Sequence, residues 1–169
     1  ETVSHIALRK VNGPETSDVY ELLPGVEIKQ DERACISIRG KVSKNQWLQT
    51  NDIVKLLDEK HFRWLGRFDN VVNSGGVKLY TDQLEITMQP AIEAYGIAHR
   101  FFLAGIADTK LGEKLCLILE RKDNLNTKQE HKLKLWMKEH LHPYEIPKEI
   151  FLLPKFILSE SGKIQRKHT

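Results

Sequence analysis

A glycine-rich stretch near the middle of the chain contains residue types that could do more than build a strand. It places Arg67, Asp69 and the run Ser74-Gly75-Gly76, here called the glycine loop, among residues that otherwise suit strands. Aspartate and glycine are disfavoured inside strands. Paired glycines permit either a tight hairpin turn or a close approach by a ligand. The stretch is therefore either an ordinary hairpin or a binding loop that follows two charged side chains.

Two further segments carry charged side chains with more than one interpretation. Asp52 follows Thr50 and Asn51, where it could simply begin a strand and accept hydrogen bonds from nearby amides. Lys163 lies near the end of the chain in Ser159-Glu160-Ser161-Gly162-Lys163-Ile164-Gln165-Arg166. On its own that segment could be a basic tail after a flexible loop.

The central stretch resembles a motif of a known superfamily. The pattern Gly66-Arg67-x-Asp69, followed after four residues by the glycine loop, is similar to the domain junction of acyl- and aryl-CoA synthetases, luciferases and peptide-synthetase adenylation domains. These proteins form the adenylate-forming superfamily. The resemblance implies that Arg67 reaches the ribose of ATP and that Asp69 is the hinge between a large and a small domain. It implies that the glycine loop, Ser74 to Gly76, lines the channel for CoA.

The two other segments extend this resemblance. The stretch from Thr50 to Arg67 resembles a Thr-Gly-Asp motif followed by a hairpin and Gly-Arg, although Asn51 replaces the glycine. This implies that Asp52 holds both ribose hydroxyls, since two carboxylate oxygens can accept both O–H donors. Glu1 is similar to the glutamate that binds Mg²⁺ at the end of a Tyr-Gly-x-Thr-Glu motif.

The C-terminal segment resembles the superfamily pattern Thr-x-x-Gly-Lys-x-x-Arg, with Ser159 at the threonine position. The resemblance implies that Lys163 is the catalytic lysine, which reaches into the other domain. An ammonium there would offset the repulsion between a carboxylate and the α-phosphate of ATP. Rotation about Asp69 would then withdraw Lys163 and present the glycine loop to CoA.

The resemblance also implies the cofactors and partners of the protein. ATP, Mg²⁺ and CoA are the expected cofactors, and a small carboxylic acid is the expected substrate. The phosphate-binding loop of the superfamily lies upstream, and this chain contains no such loop. We therefore expect the chain to need the N-terminal domain of the same enzyme and to be inactive alone. Val77-Lys78 departs from the Glu-Asn that is common in the superfamily at that point.

Composition argues against several other classes of protein. The chain has 26 Lys and Arg against 23 Asp and Glu, which is no signature of a polyanion-binding protein, so we expect no nucleic-acid partner. Its apolar runs are far shorter than a bilayer span, so no membrane association is expected. Cys35 and Cys116 have no second Cys or His at metal-ligand spacing. They indicate free thiols in a reducing compartment, and we expect a cytoplasmic protein.

Hydrophobic patterns predict a β-rich first third and a mixed remainder. The first part shows short strands separated by turn residues. The second part predicts a hairpin around the glycine loop, a helix capped by Thr81 and broken or kinked near Gln89 by Pro90, and a helix opened by a Thr127–Glu130 capping box. The predicted strands are 5–11, 19–23, 26–30, 34–39, 53–57, 62–65, 97–107, 114–121 and 149–153.

These patterns predict an α+β protein of two parts. Residues 1–68 are a small β subdomain, the end of a large N-terminal domain, and residues 69–169 are a compact C-terminal lid domain with helices on a small sheet. Within the superfamily, the residues from Trp64 to Gly76 and the Lys163 segment look most like the o-succinylbenzoate–CoA ligases of menaquinone biosynthesis.

Three alternatives stay open. Another acyl- or aryl-CoA synthetase would share every motif named above. A carrier-protein-loading adenylation domain would accept a phosphopantetheinyl protein in place of CoA. A non-catalytic interaction module could keep the fold, but Asp52, Arg67 and Lys163 are all present, which argues against decay of the site.

Overall fold

The computed structural model describes residues 4–169 and has the mixed α+β class that the sequence predicts. The described chain divides into two compact units. The first unit ends at Asp69 and the second comprises Asn70–Thr169. A short 3₁₀ turn, Phe68–Asn70, contains this boundary.

The first unit is built on one antiparallel sheet of six strands, in the order β1-β2-β6-β5-β4-β3. Ile36, Ile38, Val54 and Phe62 are buried together from three neighbouring strands and form its apolar core. Alternation along β4 explains why Ile36 and Ile38 share a face. The strands are β1 (Ala7–Leu8), β2 (Val19–Leu22), β3 (Glu27–Gln30), β4 (Cys35–Arg39), β5 (Leu48–Leu56) and β6 (His61–Arg67).

Strand β5 begins earlier than the sequence predicts, and this changes the setting of Asp52. The expected strand began at Ile53, whereas β5 begins at Leu48 and pairs with β4 through Leu48 and Gln49. The polar residues at its start show no hydrophobic pattern, so only the cross-strand ladder reveals them. Asp52 therefore lies inside a strand and does not begin one.

The second unit has a five-stranded sheet organised around β10. Strand β9 pairs antiparallel with β10, β11 pairs parallel with it, and β7 joins it at Gly112 and Ser74. The residues Leu115–Leu119 are continuously buried, as expected of a strand covered on both faces. The strands are β7 (Val71–Ser74), β8 (Val77–Tyr80), β9 (Phe101–Asp108), β10 (Gly112–Glu120) and β11 (Glu149–Leu153).

Different layers cover the two faces of this sheet. Helices α1 (Thr81–Ala94) and α2 (Thr127–His140) pack with Leu115, Leu117 and Leu119 in the larger core. On the opposite side, Cys116 and Ile118 pack with Phe102 and Phe156, and Leu158 and Ile164 cover that cluster. The C-terminal segment is thus part of the packed domain. Neither helix among residues 4–169 is long and apolar enough to cross a membrane.

The N-cap predicted for α1 is wrong, and the helix is not broken at Pro90. Tyr80 occupies the N-cap position, and Thr81 is the first helical residue, with its hydroxyl donating to the carbonyl of Asn70 at 2.7 Å. The helix also continues through Pro90 to Ala94. Proline removes one amide donor, but Ile86, whose carbonyl would accept it, is exposed to solvent, while Met88 and Ile92 are fully buried. Packing of the apolar face therefore outweighs the lost bond.

The capping box of α2 is displaced by one residue from its predicted position. Asn126 is the N-cap and accepts the Gln129 amide at 2.8 Å, while the Gln129 side chain accepts the Asn126 amide at 3.3 Å. Asparagine is a strong N-cap residue, so the box begins at Asn126, one position before Thr127.

Candidate functional site

Asp52 and Arg67 lie opposite each other on strands β5 and β6 of the first unit. Asp52 Oδ1 is 3.9 Å from Arg67 Nη1, and the two side chains are 33% and 43% exposed. The same Asp52 oxygen accepts a hydrogen bond from Trp64 Nε1 at 3.2 Å. A half-exposed carboxylate and a half-exposed guanidinium therefore lie side by side on the sheet. The resemblance implied that these two groups bind a ribose.

A β-bulge produces this pairing. Val54 pairs with Trp64, but Ile53 pairs with Gly66, so β6 contains one extra residue at this point. In a regular ladder Gly66 would lie opposite Asp52. Gly66 has φ of 144°, a value that L side chains rarely adopt. The bulge and its glycine thus bring the Arg67 side chain to the carboxylate.

Asp69 belongs to the same cluster. Its Oδ2 is 3.9 Å from Arg67 Nη2 and accepts a hydrogen bond from Asn51 Nδ2 at 3.3 Å. Arg33 donates to Oδ1 of the Asn51 side chain at 3.1 Å, and its guanidinium lies 5.0 Å from the centroid of the Phe68 ring. The structure therefore brings together Asp52, from the Thr-Gly-Asp-like motif, with Arg67 and Asp69, from the Gly-Arg-x-Asp motif.

The ion pairs of this cluster contribute little to stability, but their geometry suits a ligand with several hydroxyl groups. Ion pairs that are this exposed contribute at most about 1 kcal/mol, because solvent screens them and the side chains lose entropy. A carboxylate accepts two hydroxyl donors, and a guanidinium presents several N–H donors in a plane. Asp52 and Arg67 together could hold a vicinal diol such as a ribose.

The glycine loop forms the two-residue turn of the β7–β8 hairpin. Gly75 and Gly76 have φ of 58° and 83°, and Ser74 pairs with Val77. Two successive positive φ values are typical of a type I′ turn. The Gly75 amide donates to the Leu111 carbonyl at 2.9 Å, and a Cβ on Gly75 would lie 3.2 Å from Leu111. The hairpin interpretation is correct for its conformation, and its role toward CoA stays a prediction.

Lys163 lies at the end of an ordered turn. The Ser159 amide donates to the Lys163 carbonyl at 2.8 Å, and the Lys163 amide donates to Ser159 Oγ at 3.1 Å. Gly162 has φ of 78° and donates its amide to the Ser159 carbonyl. The Lys163 side chain is exposed, and within residues 4–169 its ammonium makes no hydrogen bond or ion pair. The turn presents a cation to solvent.

Arg166 was noted only as the last residue of the C-terminal motif, and its partners were not predicted. Its Nη2 contacts Glu85 Oε2 at 2.8 Å and Asp82 Oδ1 at 3.2 Å. Burial, reinforced by the charge of Asp82, raises the pKa of Glu85 from 4.5 to about 7, although Arg166 and the Leu103 amide oppose that shift. A signal existed in the spacing of Asp82 and Glu85, which puts two acids on one side of the first turn of α1.

Other reactive groups do not form a site in the described chain. Burial raises the pKa of both the Cys35 and Cys116 thiols, which makes them poor nucleophiles. Residues 4–169 contain no cluster of three or more His, Cys, Asp or Glu that could hold a metal ion. Glu1, the residue that the resemblance assigns to Mg²⁺, lies outside the described residues.

An open groove of about 380 Å³ runs along one face of the first sheet. Its floor is apolar and includes Tyr20, Phe62 and Trp64, and Asp52 lies at its border. An apolar sheet face of this kind is what we expect where a β subdomain packs against further protein.

Comparison with known proteins gives relatives and structural neighbours, although no family model matches the chain. A medium-chain acyl-CoA ligase of Macaca fascicularis is 26% identical over 127 residues, which are 74% of this chain and 19% of that protein. The chain thus spans about a fifth of the length of this curated relative.

Two solved structures extend the comparison. An AMP-forming acyl-CoA synthetase-like protein from Dyadobacter fermentans is 38% identical, with a TM-score of 0.58, over 99% of this chain and 47% of that one. An o-succinylbenzoate CoA synthetase from Bacillus subtilis, solved with its acyl-adenylate intermediate, is 22% identical, with a TM-score of 0.70, over 86% of this chain and 34% of that one.

Proposed function

We propose that this chain, whose relatives and structural neighbours support the adenylate-forming acyl-CoA ligase superfamily, is the C-terminal part of an ATP-dependent acid–CoA ligase. The observation that carries the proposal is the cross-strand pair of Asp52 and Arg67, two half-exposed groups that a bulge brings opposite each other. Both charges suit a ribose and contribute little to stability. The rest of the large domain would supply the phosphate loop and the acyl pocket.

The reaction has two steps. In the first, a carboxylate oxygen attacks the α-phosphate of ATP, the bond to the β-phosphate oxygen breaks, and pyrophosphate leaves. In the second, the thiol of CoA attacks the acyl carbonyl, loses its proton, and displaces AMP to give the thioester. Lys163 acts in the first step only, because its ammonium stabilises the charge that develops where two anions meet.

The substrate we propose is o-succinylbenzoate, which would place the enzyme in menaquinone biosynthesis. The support is the likeness of the residues from Trp64 to Gly76 and of the Lys163 segment to ligases of that acid. A solved o-succinylbenzoate CoA synthetase shares the fold. A medium-chain fatty acid is the second candidate, because a curated relative is a medium-chain acyl-CoA ligase. Pyrophosphate release by the complete enzyme with each acid separates the two.

A cytoplasmic location is part of the proposal. Cys35 and Cys116 are both buried free thiols, as is usual in a reducing compartment. Fractionation of cells that express a tagged form of the complete enzyme tests this. Recovery of the tagged protein in a membrane or secreted fraction would contradict it.

Replacement of Lys163 by Ala in the complete enzyme tests the proposed function. If the ammonium supplies about 3 to 4 kcal/mol, adenylation slows by roughly two to three orders of magnitude. Thioester formation from preformed acyl-adenylate and CoA stays within about tenfold of wild type, since it bypasses the first step.

Lys167→Ala is the matched control, because Lys167 is also exposed and lies in the same segment. Its two half-reactions should match those of the wild type. A Lys163→Ala enzyme that adenylates at the normal rate would overturn the assignment.

A further inference from the structure

The guanidinium of Arg166 makes several contacts inside the second unit at once. It donates to Glu85 at 2.8 Å, to Asp82 at 3.2 Å and to the hydroxyl of Thr81 at 3.3 Å, all in the first turns of α1. It also lies 5.7 Å from the centroid of the Phe102 ring. The side chain is only 24% exposed. This arginine is therefore held in one geometry by partners more than eighty residues earlier in the chain.

These partners are themselves fixed. Glu85 Oε1 accepts the Leu103 amide at 2.7 Å, which ties α1 to β9. Asp82 accepts two hydrogen bonds from the Asn70 side chain, at 3.0 and 3.2 Å. The network thus runs from Arg166 through Asp82 to Asn70, the residue that directly follows Asp69.

On its other side, Arg166 is connected to Lys163 by a short and well-bonded stretch of chain. Ile164 forms a β-bridge with Leu158 and packs on the core that contains Phe156. The Gln165 amide donates to the Ile157 carbonyl at 2.8 Å. Little freedom is left between the guanidinium and the turn that presents Lys163.

We propose that Arg166 is a positioning residue that anchors the Lys163 turn to α1 and, through Asp82 and Asn70, to the segment after Asp69. The Lys163 ammonium is then held in a fixed position within the second unit. This inference rests on the catalytic role proposed for Lys163. Its physical reason is that displacement of a catalytic group by about 1 Å can cost a hundredfold in rate.

Amide hydrogen exchange in the 169-residue chain tests the anchor without reference to activity. Arg166→Met should speed exchange of the Gly162, Lys163 and Gln165 amides by at least about tenfold, because the turn loses its tie to α1. Amides in the middle of β10 exchange only when the whole unit unfolds, so in the variant they should stay far more protected than the amides of the turn. Unchanged exchange in the turn would overturn the anchor.

Lys114→Met is the matched control for this measurement. Lys114 is 22% exposed and forms a 2.6 Å ion pair with Glu149 elsewhere in the same unit. Its loss removes one positive charge and one short ion pair from the same unit. If Lys114→Met loosens the Lys163 turn as much as Arg166→Met does, the effect is general destabilisation and the anchor is refuted.

Half-reactions of the complete enzyme test the consequence for catalysis. Arg166→Met should slow adenylation by about 10- to 100-fold, with thioester formation from preformed adenylate within about threefold of wild type. The double variant Arg166→Met/Lys163→Ala should be no slower than Lys163→Ala alone, because one residue acts through the other. Multiplicative losses, or equal loss of both half-reactions, would overturn positioning.

A second substitution covers the case in which Arg166→Met does not fold. Arg166→Lys keeps the pair with Glu85 but cannot hold Thr81 and Asp82 in the same fork. It should slow adenylation by at least about threefold and loosen the turn, and wild-type values of both would overturn the proposal. Normal adenylation by Lys163→Ala would instead refute the proposed function, while the exchange experiment would still decide the anchor.

Discussion

Arg67 and Arg166 each lie between two carboxylates, yet their surroundings contrast. Arg67 is 3.9 Å from both Asp52 and Asp69, and its side chain is 43% exposed. Arg166 is 2.8 Å from Glu85 and 3.2 Å from Asp82, and its side chain is 24% exposed. The acidic partners follow the same trend, because those of Arg166 are at most 17% exposed and those of Arg67 at least 33%.

The difference is what we expect between charges that stabilise the fold and charges that we propose bind a ligand. A long, exposed pair contributes little to stability, so the fold alone does not account for the bulge that places Arg67 beside Asp52. A short, half-buried pair cannot be broken cheaply, because its partner would be left buried and uncompensated. Arg166 therefore belongs to the architecture of the second unit, whereas the role proposed for Arg67 is to bind a nucleotide.

The largest difference between the two arginines should appear in the free energy of unfolding. Arg166→Met should lower the free energy of unfolding of the second unit by about 3 kcal/mol, because Glu85 and Asp82 would lose their shared cation. Arg67→Met should lower that of the first unit by less than about 1 kcal/mol. Urea denaturation of the 169-residue chain, followed by a probe in each unit, measures both. Equal losses would remove the contrast.

The pH dependence of stability should sharpen the contrast next. The pKa of Glu85 is raised from 4.5 to about 7, so the folded state binds a proton that the unfolded state releases. Stability from this group is complete below about pH 4.5 and is lost as pH rises through about 7. The free energy of unfolding should fall by about 2 to 3 kcal/mol over this window.

Glu85→Gln is the comparison for that measurement, since Gln does not titrate. Subtraction of its pH profile from that of the wild type removes the contribution of the other groups. If the difference between the wild-type and Glu85→Gln profiles does not change with pH, Glu85 takes up no proton on folding and the prediction is contradicted.

Asp52→Ala should change nucleotide affinity more than stability. Loss of the carboxylate removes the two acceptors that we propose for the ribose hydroxyls, and it should weaken binding of ATP to the complete enzyme by about 10- to 100-fold. Isothermal titration measures this. Asp18→Ala is the control, because Asp18 forms another exposed ion pair of the same sheet, with Arg63 at 2.9 Å. Equal effects of the two variants on ATP affinity would contradict the assignment of Asp52.

Asp69→Pro should give the smallest effect and tests the proposed hinge. Proline fixes φ and should restrict rotation, so one half-reaction of the complete enzyme should fall about tenfold more than the other. Asp69→Ala, which removes the same carboxylate near Arg67, separates loss of charge from loss of rotation. Equal loss of both half-reactions in a folded Asp69→Pro enzyme would show that Asp69 is no hinge.

The sequence by itself determined the features that depend on neighbouring residues. The α+β class follows from the alternation and helical periodicity of short segments. The turn at Gly75 and Gly76 follows from the freedom of paired glycines at positive φ. The resemblance of the motifs around Asp52, Arg67 and Lys163 pointed to the superfamily, which the relatives and structural neighbours support.

The tertiary structure alone decided the features that depend on distant contacts. The bulge in β6 that turns Arg67 toward Asp52 exists only in the register of two paired strands. The continuation of α1 beyond Pro90 depends on burial of the apolar face of the helix against the sheet. Arg166 meets Glu85 across eighty residues of chain, and no local pattern encodes that meeting. Local preferences determine which segments form helices and strands. Only packing determines strand register and side-chain partners, because these depend on the free energy of the whole fold.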